Sequence, residues 1–223
     1  MDSSAPSKLT ALQREVLDAF FQRERGFFLT GGAALAGFHL GHRMTEDLDL
    51  FTLQQAAFER SRFVVADVAA VVGAVLEVRQ DAPGFRRVVL SRGEDGLVID
   101  LVKDVSSQLH SEKLERDHIV VDPADEILAN KLTAIVGRAE KRDLIDVMLL
   151  ERAGYPVEAA LPPALAKDGG CTPATLAWLL SEVKIPDGIE LPAGVPPAEL
   201  RTYLADLIRR LLVLAAPDTQ GPR

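Results

Sequence analysis

The chain has 223 residues, enough for one large domain or two small ones. Hydrophobic residues make up 48% and charged residues 26%, which is typical of a folded globular protein and argues against disorder. The net charge of −8 argues against nucleic-acid binding driven by overall charge, although a local basic patch is still compatible with it. The single cysteine excludes an internal disulfide, and the first residues lack the pattern of a signal peptide, so we expect a cytoplasmic protein.

The first part of the chain predicts helices alternating with strands. Apolar residues at helical spacing indicate a helix that begins near Thr10 and ends at Gly26. The loop Ser91–Gly96, with strands on both sides, is typical of a hairpin with a longer connection. The other predicted elements are, in order, a strand over 27–29, a helix over 33–40, a strand over 47–51, a helix over 54–78 and strands over 86–90 and 97–102.

The second part predicts helices only. Asp122-Pro123 is a strong helix start, because aspartate caps the N-terminus and proline fits the first helical position. We predict helices over 123–138, 141–154 and 198–214, with short proline-punctuated helices between the last two. The change in pattern at Asp122 predicts an α+β core over residues 1–121 and a helical domain over residues 122–223.

Three carboxylates stand in apolar strands. Asp47 and Asp49 share one strand face because side chains alternate along a strand, and Asp100 lies between Ile99 and Leu101 of another strand. Aspartate is depleted in strands, and converging carboxylates repel unless a cation neutralises them. Hard oxygen ligands of this kind suit Mg²⁺, which usually keeps several waters and takes substrate phosphates as further ligands.

A glycine turn precedes this strand. Thr30-Gly31-Gly32 joins a predicted strand to a helix, where glycines allow backbone N–H groups to approach phosphates closely. A Gly-Gly turn alone is more often only a tight turn, but Asp47 and Asp49 soon after it make the pattern more specific.

Basic residues follow on the predicted helix over 123–138. Lys131 lies in an otherwise apolar run, and Arg138, seven residues later, shares its helix face. Such a lysine can bind a triphosphate as a point charge. The alternative is a solvated charged face with intrahelical pairs, which fits Lys141, Arg142 and Asp146 well.

Three segments together resemble the AbiEii/AbiGii toxin family of nucleotidyltransferases, which has the DNA polymerase β-like fold, a small mixed sheet with flanking helices. The segments are FLTGGAALA at 28–36, GHRMTEDLDLF at 41–51 and EILANKLTAIVGRAEKRDLID at 126–146, and the resemblance covers roughly residues 9–153. The family usually has threonine or serine after the glycines, where this chain has Ala33.

The resemblance implies roles for individual residues. Asp47 and Asp49 match the family's metal-binding pair, and Asp100 is the expected third carboxylate. The residues expected to bind the nucleoside triphosphate are Gly31, Gly32, Arg43, Lys131, Arg138 and Asp143. The implied reaction is Mg²⁺-dependent transfer of a nucleoside monophosphate to RNA, tRNA included, or to protein. Two Mg²⁺ ions are expected, with Mn²⁺ as the alternative metal. Family members act as toxins of type IV toxin–antitoxin or abortive-infection systems, which implies a cognate antitoxin.

Other functions stay open. A protein that keeps the fold but only binds a partner is favoured by Ala33, whereas a transferase acting on a small molecule such as an antibiotic suits the net charge of −8. His39 and His42 beside the aspartates suggest a zinc hydrolase as a weaker alternative. A basic groove favours RNA; its candidate residues are Arg86, Arg87 and Arg92, or Arg138, Lys141 and Arg142.

Overall fold

The computed structural model describes residues 7–216, which form two compact units. The first unit contains the chain up to Ser106 together with His110–Ile127. The second contains Ser107–Leu109 and the chain from Leu128 onward. None of the helices within residues 7–216 is both long enough and apolar enough to cross a membrane.

The first unit is built on a seven-stranded mixed sheet, in the order β3-β4-β5-β2-β1-β7-β6. Neighbouring strands are antiparallel except for the parallel pairs β2–β5 and β1–β7. The strands are β1 (Phe28–Thr30), β2 (Asp47–Thr52), β3 (Val75–Ala82), β4 (Phe85–Arg92), β5 (Asp95–Lys103), β6 (Leu114–Arg116) and β7 (Ile119–Val121). This sheet and its flanking helices confirm the predicted α+β class.

Three helices accompany the sheet. Helix α1 (Ala11–Phe21) begins with a capping box in which the Thr10 hydroxyl accepts from the Gln13 amide, and the Gln13 side chain accepts from the Thr10 amide. Helix α2 (Gly31–Ala34) continues into a π-helical turn over Leu35–His39, and helix α3 is Gln55–Val71. Helices α1 and α3 pack against each other and the sheet, around a core rich in phenylalanine and leucine.

Two predictions of local structure were wrong. The helix predicted over 54–78 ends at Val71, because Gly73 takes a positive φ of 67° and Val75 then begins strand β3. The predicted longer loop between β4 and β5 is a tight turn in which Arg92 pairs with Asp95, leaving two residues between the strands. The short strands β6 and β7 were not predicted.

The second unit is helical in its described residues. Its helices are the part of α4 (Ala124–Gly137) from Leu128, then α5 (Lys141–Arg152), α6 (Val157–Lys167), α7 (Pro173–Ser181) and α8 (Pro197–Ala215). Arg210 of α8 links three helices, because its guanidinium donates to Glu151 of α5 and Glu158 of α6.

Candidate active site

A row of polar side chains crosses four neighbouring strands of the first unit. Thr30 of β1 pairs with Asp49 of β2, Asp49 pairs with Asp100 of β5, and Asp100 pairs with Arg87 of β4. Along β2, the side chains of Leu48, Leu50 and Thr52 are buried, and those of Asp47, Asp49 and Phe51 are half-buried. The alternation therefore presents both β2 aspartates on the sheet face that also carries Asp100.

The glycine turn lies directly against this row. Gly31 has a φ of +65°, and a Cβ atom there would lie 2.1 Å from Oδ2 of Asp49. A Cβ on Gly32 would lie 2.9 Å from Nη2 of Arg43 and 3.4 Å from Oγ1 of Thr45. The absence of side chains is therefore what allows the turn, the Asp49 carboxylate and the Arg43 guanidinium to approach one another.

Thr45 is a site residue that the sequence analysis missed. Its buried hydroxyl donates to Oδ1 of Asp47 at 2.9 Å, and its carbonyl accepts from Nε2 of Gln13 at 2.9 Å. Helix α1 thereby holds the connector that orients Asp47. The sequence signal for this contact is a threonine two positions before an aspartate, because threonine side chains form local hydrogen bonds with neighbouring residues.

A buried ion pair fastens the start of the glycine turn. The Thr30 hydroxyl donates to Oδ2 of Asp122 at 2.7 Å, and Lys113 Nζ lies 2.7 Å from Oδ1 of the same carboxylate. Burial raises the pKa of Asp122, against the lowering effect of Lys113. His39 donates from Nε2 to the Asp122 carbonyl at 2.8 Å, so this histidine also helps to hold the segment.

The third carboxylate is engaged by an arginine. Arg87 donates from Nε to Oδ1 of Asp100 at 2.7 Å and from Nη2 to Oδ2 at 2.6 Å. Within residues 7–216, no three His, Cys, Asp or Glu side chains are placed to hold a metal ion together. Asp47 and Asp49 fit a divalent cation by donor type and shared face, because Mg²⁺ commonly takes one or two protein carboxylates and keeps several waters. Asp100, as placed, does not complete the set.

The predicted basic residues of the second unit form a buried network. Lys131 Nζ lies 2.7 Å from Oδ1 of Asp143 and 2.8 Å from Oδ2 of Asp146. Arg138 Nε donates to Oδ2 of Asp143 at 3.0 Å. Both carboxylates are fully buried and Lys131 is 7% exposed, whereas the Arg138 side chain is half-exposed. Burial raises the pKa of Asp143, but Lys131 and Arg138 outweigh it and hold that pKa below its usual value.

The structure thus brings together part of the predicted site within each unit. The first unit unites the glycine turn, Arg43 and the three aspartates, and the second unites Lys131, Arg138 and Asp143. The arginines of β4 do not form one basic surface, because Arg86 is buried against Ser61 of α3, and Arg92 pairs with Glu15.

A glycine replacement tests how closely the turn approaches Asp49. We expect Gly31→Ala to lower the unfolding free energy by at least about 1 kcal/mol more than Gly93→Ala. Both glycines have a similar positive φ, +65° and +61°, but a Cβ at Gly93 has no atom within 4 Å. Urea unfolding of the two variants measures the difference, and equal losses would contradict the close approach.

Comparison with known proteins identifies a family and two solved structures of similar fold. A family model described as nucleotidyl transferase AbiEii toxin, type IV toxin–antitoxin system, matches residues 15–218. The crystal structure of JHP933 from Helicobacter pylori is similar in fold, with a TM-score of 0.57, 18% identity and 92% of each chain covered. A second H. pylori structure, described as a candidate nucleotidyltransferase, has a TM-score of 0.56 and 18% identity, covering 92% of this chain and 96% of that one.

No curated protein matches the chain. At 18% identity, the two structural likenesses show the fold alone. The family model, however, spans nearly the whole chain, including the glycine turn, both aspartates of β2 and Asp100. The chain belongs to the AbiEii family of nucleotidyltransferase toxins from type IV toxin–antitoxin systems.

Proposed function

We propose that this nucleotidyltransferase moves a nucleoside monophosphate from a nucleoside triphosphate to RNA, tRNA included, and acts as a toxin in the cytoplasm. The observation that carries the proposal is the packing of Gly31 against the Asp49 carboxylate, in register with Asp100. A side-chain-free turn beside aligned carboxylates suits a ligand that carries both phosphates and a bound cation. The family implies a cognate antitoxin, which would limit the activity.

The proposed cofactor is Mg²⁺, with Mn²⁺ as the alternative. Asp47 and Asp49 would hold it, and Asp100 is the proposed third ligand, in an orientation other than the one that pairs it with Arg87. When bound, such cations neutralise charge on the attacking and leaving oxygens of a phosphoryl group. Thr45 contributes by fixing the orientation of the Asp47 carboxylate.

The protein's own groups position and neutralise the substrate. In the proposal, the backbone amides of Gly31 and Gly32 and the guanidinium of Arg43 contact the triphosphate. The acceptor oxygen forms a bond to the α-phosphorus, and the bond from that phosphorus to the bridging oxygen breaks. Pyrophosphate leaves with the electron pair of that bond, and the acceptor proton passes to Asp100.

We also propose that the network of the second unit takes part in triphosphate binding. Arg138 is the half-exposed cation of this network, and it is therefore the group that can meet a phosphate. Lys131 is nearly buried, and in the proposal it acts by holding Asp143 and Asp146, and Asp143 in turn orients Arg138. This differs from the direct contact that the sequence predicts for Lys131.

A basic cleft in the second unit supports RNA as the acceptor class. The cleft has a volume of about 610 Å³. Four basic and two acidic side chains line it, among them Arg138, Lys141, Arg142 and Lys184. Local positive charge of this kind binds phosphate backbones even when the whole chain is acidic.

The test supplies purified protein with Mg²⁺, total RNA, cell-lysate protein and each α-labelled nucleoside triphosphate in turn. The Asp47→Ala/Asp49→Ala double variant serves as the blank. The proposal expects label in RNA with the intact protein and no label with the variant. Label in protein or in a small molecule instead would overturn the acceptor assignment and leave the transferase reaction in place.

A folded protein that labels nothing with any nucleotide would favour the binding-only alternative, for which Ala33 is the relevant feature. Ala33 is fully buried. The absence of a hydroxyl at position 33 therefore affects the packing of α2 as well as any contact with a phosphate.

A further inference from the structure

Arg87 makes a bidentate ion pair at the carboxylate row. Its guanidinium meets both oxygens of Asp100 in the bidentate arrangement that gives arginine–carboxylate pairs their directionality. The pair is set by the tight turn between β4 and β5, which places Arg87 directly opposite Asp100. The Asp100 side chain is 11% exposed, whereas that of Arg87 is 48% exposed, so the arginine can reach water and the aspartate scarcely can.

All three aspartates of the row raise the pKa of Arg87. Its pKa is raised first by the hydrogen bond to Asp100 and the charge of Asp100, and further by the charges of Asp47 and Asp49. Three carboxylates on one sheet face repel one another, and this guanidinium supplies a positive charge among them.

Arg86, the residue before Arg87 on β4, has a structural role and serves as a comparison. Arg86 is 2% exposed and donates to the Ser61 hydroxyl at 2.7 Å and to Asp81, beneath α3. It lies on the opposite face of β4 from Arg87, because successive side chains alternate. Arg87 has no comparable burial: its guanidinium lies 5.7 Å from the Phe85 ring and remains half-exposed.

We propose that Arg87 is an exchangeable counter-ion: it holds Asp100 when no metal is bound, and a divalent cation must displace it to take Asp100 as a ligand. The inference rests on the proposed function, because it presupposes that Asp47, Asp49 and Asp100 bind a cation. It explains why the donor types and the register suit a metal while Asp100 is turned to the guanidinium. Arg87 thereby sets the affinity of the site for the cation.

The test measures Mn²⁺ binding by the full-length protein without nucleotide, using the electron paramagnetic resonance signal of free Mn²⁺. We expect Arg87→Gln to lower the Kd for Mn²⁺ by about 10-fold or more, because a neighbouring positive charge no longer competes. Arg79→Gln is the matched control, since Arg79 is an exposed arginine of β3 that pairs with Glu77. We expect the control to change the Kd by less than about 2-fold, as exposed charges are well screened.

A double-mutant cycle separates exchange at Asp100 from a general charge effect. In an Asp100→Asn background, Arg87→Gln should change the Kd far less, because the carboxylate for which both cations compete is gone. Arg87→Lys keeps the charge but loses the bidentate geometry, and it provides a second variant should the glutamine variant fail to fold. We expect its Kd to lie between those of the wild type and Arg87→Gln.

The outcomes separate this inference from the proposed function. Tight Mn²⁺ binding by the wild type, with equal or weaker binding by Arg87→Gln and Arg87→Lys, would overturn the counter-ion role and leave the metal site standing. An equally large effect in the Asp100→Asn background would overturn it as well. Absence of Mn²⁺ binding in the wild type and in every folded variant would remove the metal site, and with it the inference.

Discussion

Replacing Asp47 or Asp49 with asparagine lowers the rate of nucleotidyl transfer by about 1,000-fold or more in the proposed mechanism. Both residues lie on the half-buried face of β2, beside the glycine turn. Asparagine keeps the size of each side chain but removes the negative charge that a divalent cation requires. The measurement compares initial rates of label transfer at saturating Mg²⁺ and nucleoside triphosphate.

The fold should survive these replacements. An asparagine at position 47 can still accept the hydrogen bond that the Thr45 hydroxyl donates to Asp47. Removing one of three neighbouring like charges also relieves repulsion when no cation is bound. Unfolding midpoints and circular dichroism spectra close to those of the wild type are therefore expected for both variants.

Glu46→Gln is the matched control for this series. Glu46 is exposed and adjacent to Asp47, so its replacement removes one negative charge next to the row of carboxylates without changing the row itself. We expect its rate to stay within about 2-fold of the wild type, since surface charges are screened. Rates near the wild-type value in a folded Asp47 or Asp49 variant would rule out the aspartate pair as the centre of the reaction.

The aspartate pair and the glycine turn are the parts of the site that sequence could predict. Alternation along a strand places Asp47 and Asp49 on one face whatever the strand packs against. Gly31 likewise has a local reason, since a positive φ at the end of a buried strand requires glycine. Both features depend on a few neighbouring residues, so they can be predicted without knowledge of the whole fold.

The Arg87–Asp100 pair depended on strand register, and register depends on the length of the connecting turn. The sequence favours a longer loop between β4 and β5, and such a loop does not define which residue of β5 lies opposite Arg87. Because only two residues separate Arg92 from Asp95, the register of β4 and β5 places Arg87 opposite Asp100. A tight turn at Gly93, if recognised, would have allowed this pairing to be read from sequence.

Strand β3 was missed for a different reason. Alanine and valine dominate the stretch before it, and short apolar runs are ambiguous between helix and strand. Only Gly73 marks the end of α3, and a single glycine is tolerated within many helices. The strand is then established by its pairing with β4, an interaction that local pattern does not contain.

Lys131→Met is expected to lower the unfolding free energy by about 3–5 kcal/mol, because it removes the buried ammonium group from both carboxylates and leaves Asp143 with the half-exposed Arg138 as its cation. Lys131 pairs with Asp143 and Asp146, and both acids are fully buried. Methionine fills much of the same space, so the loss measures charge more than packing. Lys184→Met is the control, since Lys184 is exposed in the same unit.

The pH dependence of this loss has a definite sign. In the wild type the pKa of Asp143 is held below its usual 3.8, so the pair stabilises the protein above that pH and is lost as the pH falls through the lowered pKa. Without Lys131, the largest effect that lowers the pKa of Asp143 is lost while burial still raises it, so the folded variant takes up a proton more readily than the folded wild type as the pH falls. The stability gap between wild type and Lys131→Met should therefore narrow as the pH falls from 7 to about 5.

These measurements decide between two roles for Lys131. A large, pH-dependent loss of stability that is partly restored by adding Asp146→Asn would establish the lysine as the cation that holds the buried acids and, through Asp143, orients Arg138. A variant as stable as the wild type, with weakened binding of nucleoside triphosphate, would instead support direct contact with phosphate. The geometry favours the first result, because a phosphate would have to compete with two buried carboxylates within 3 Å of the ammonium group.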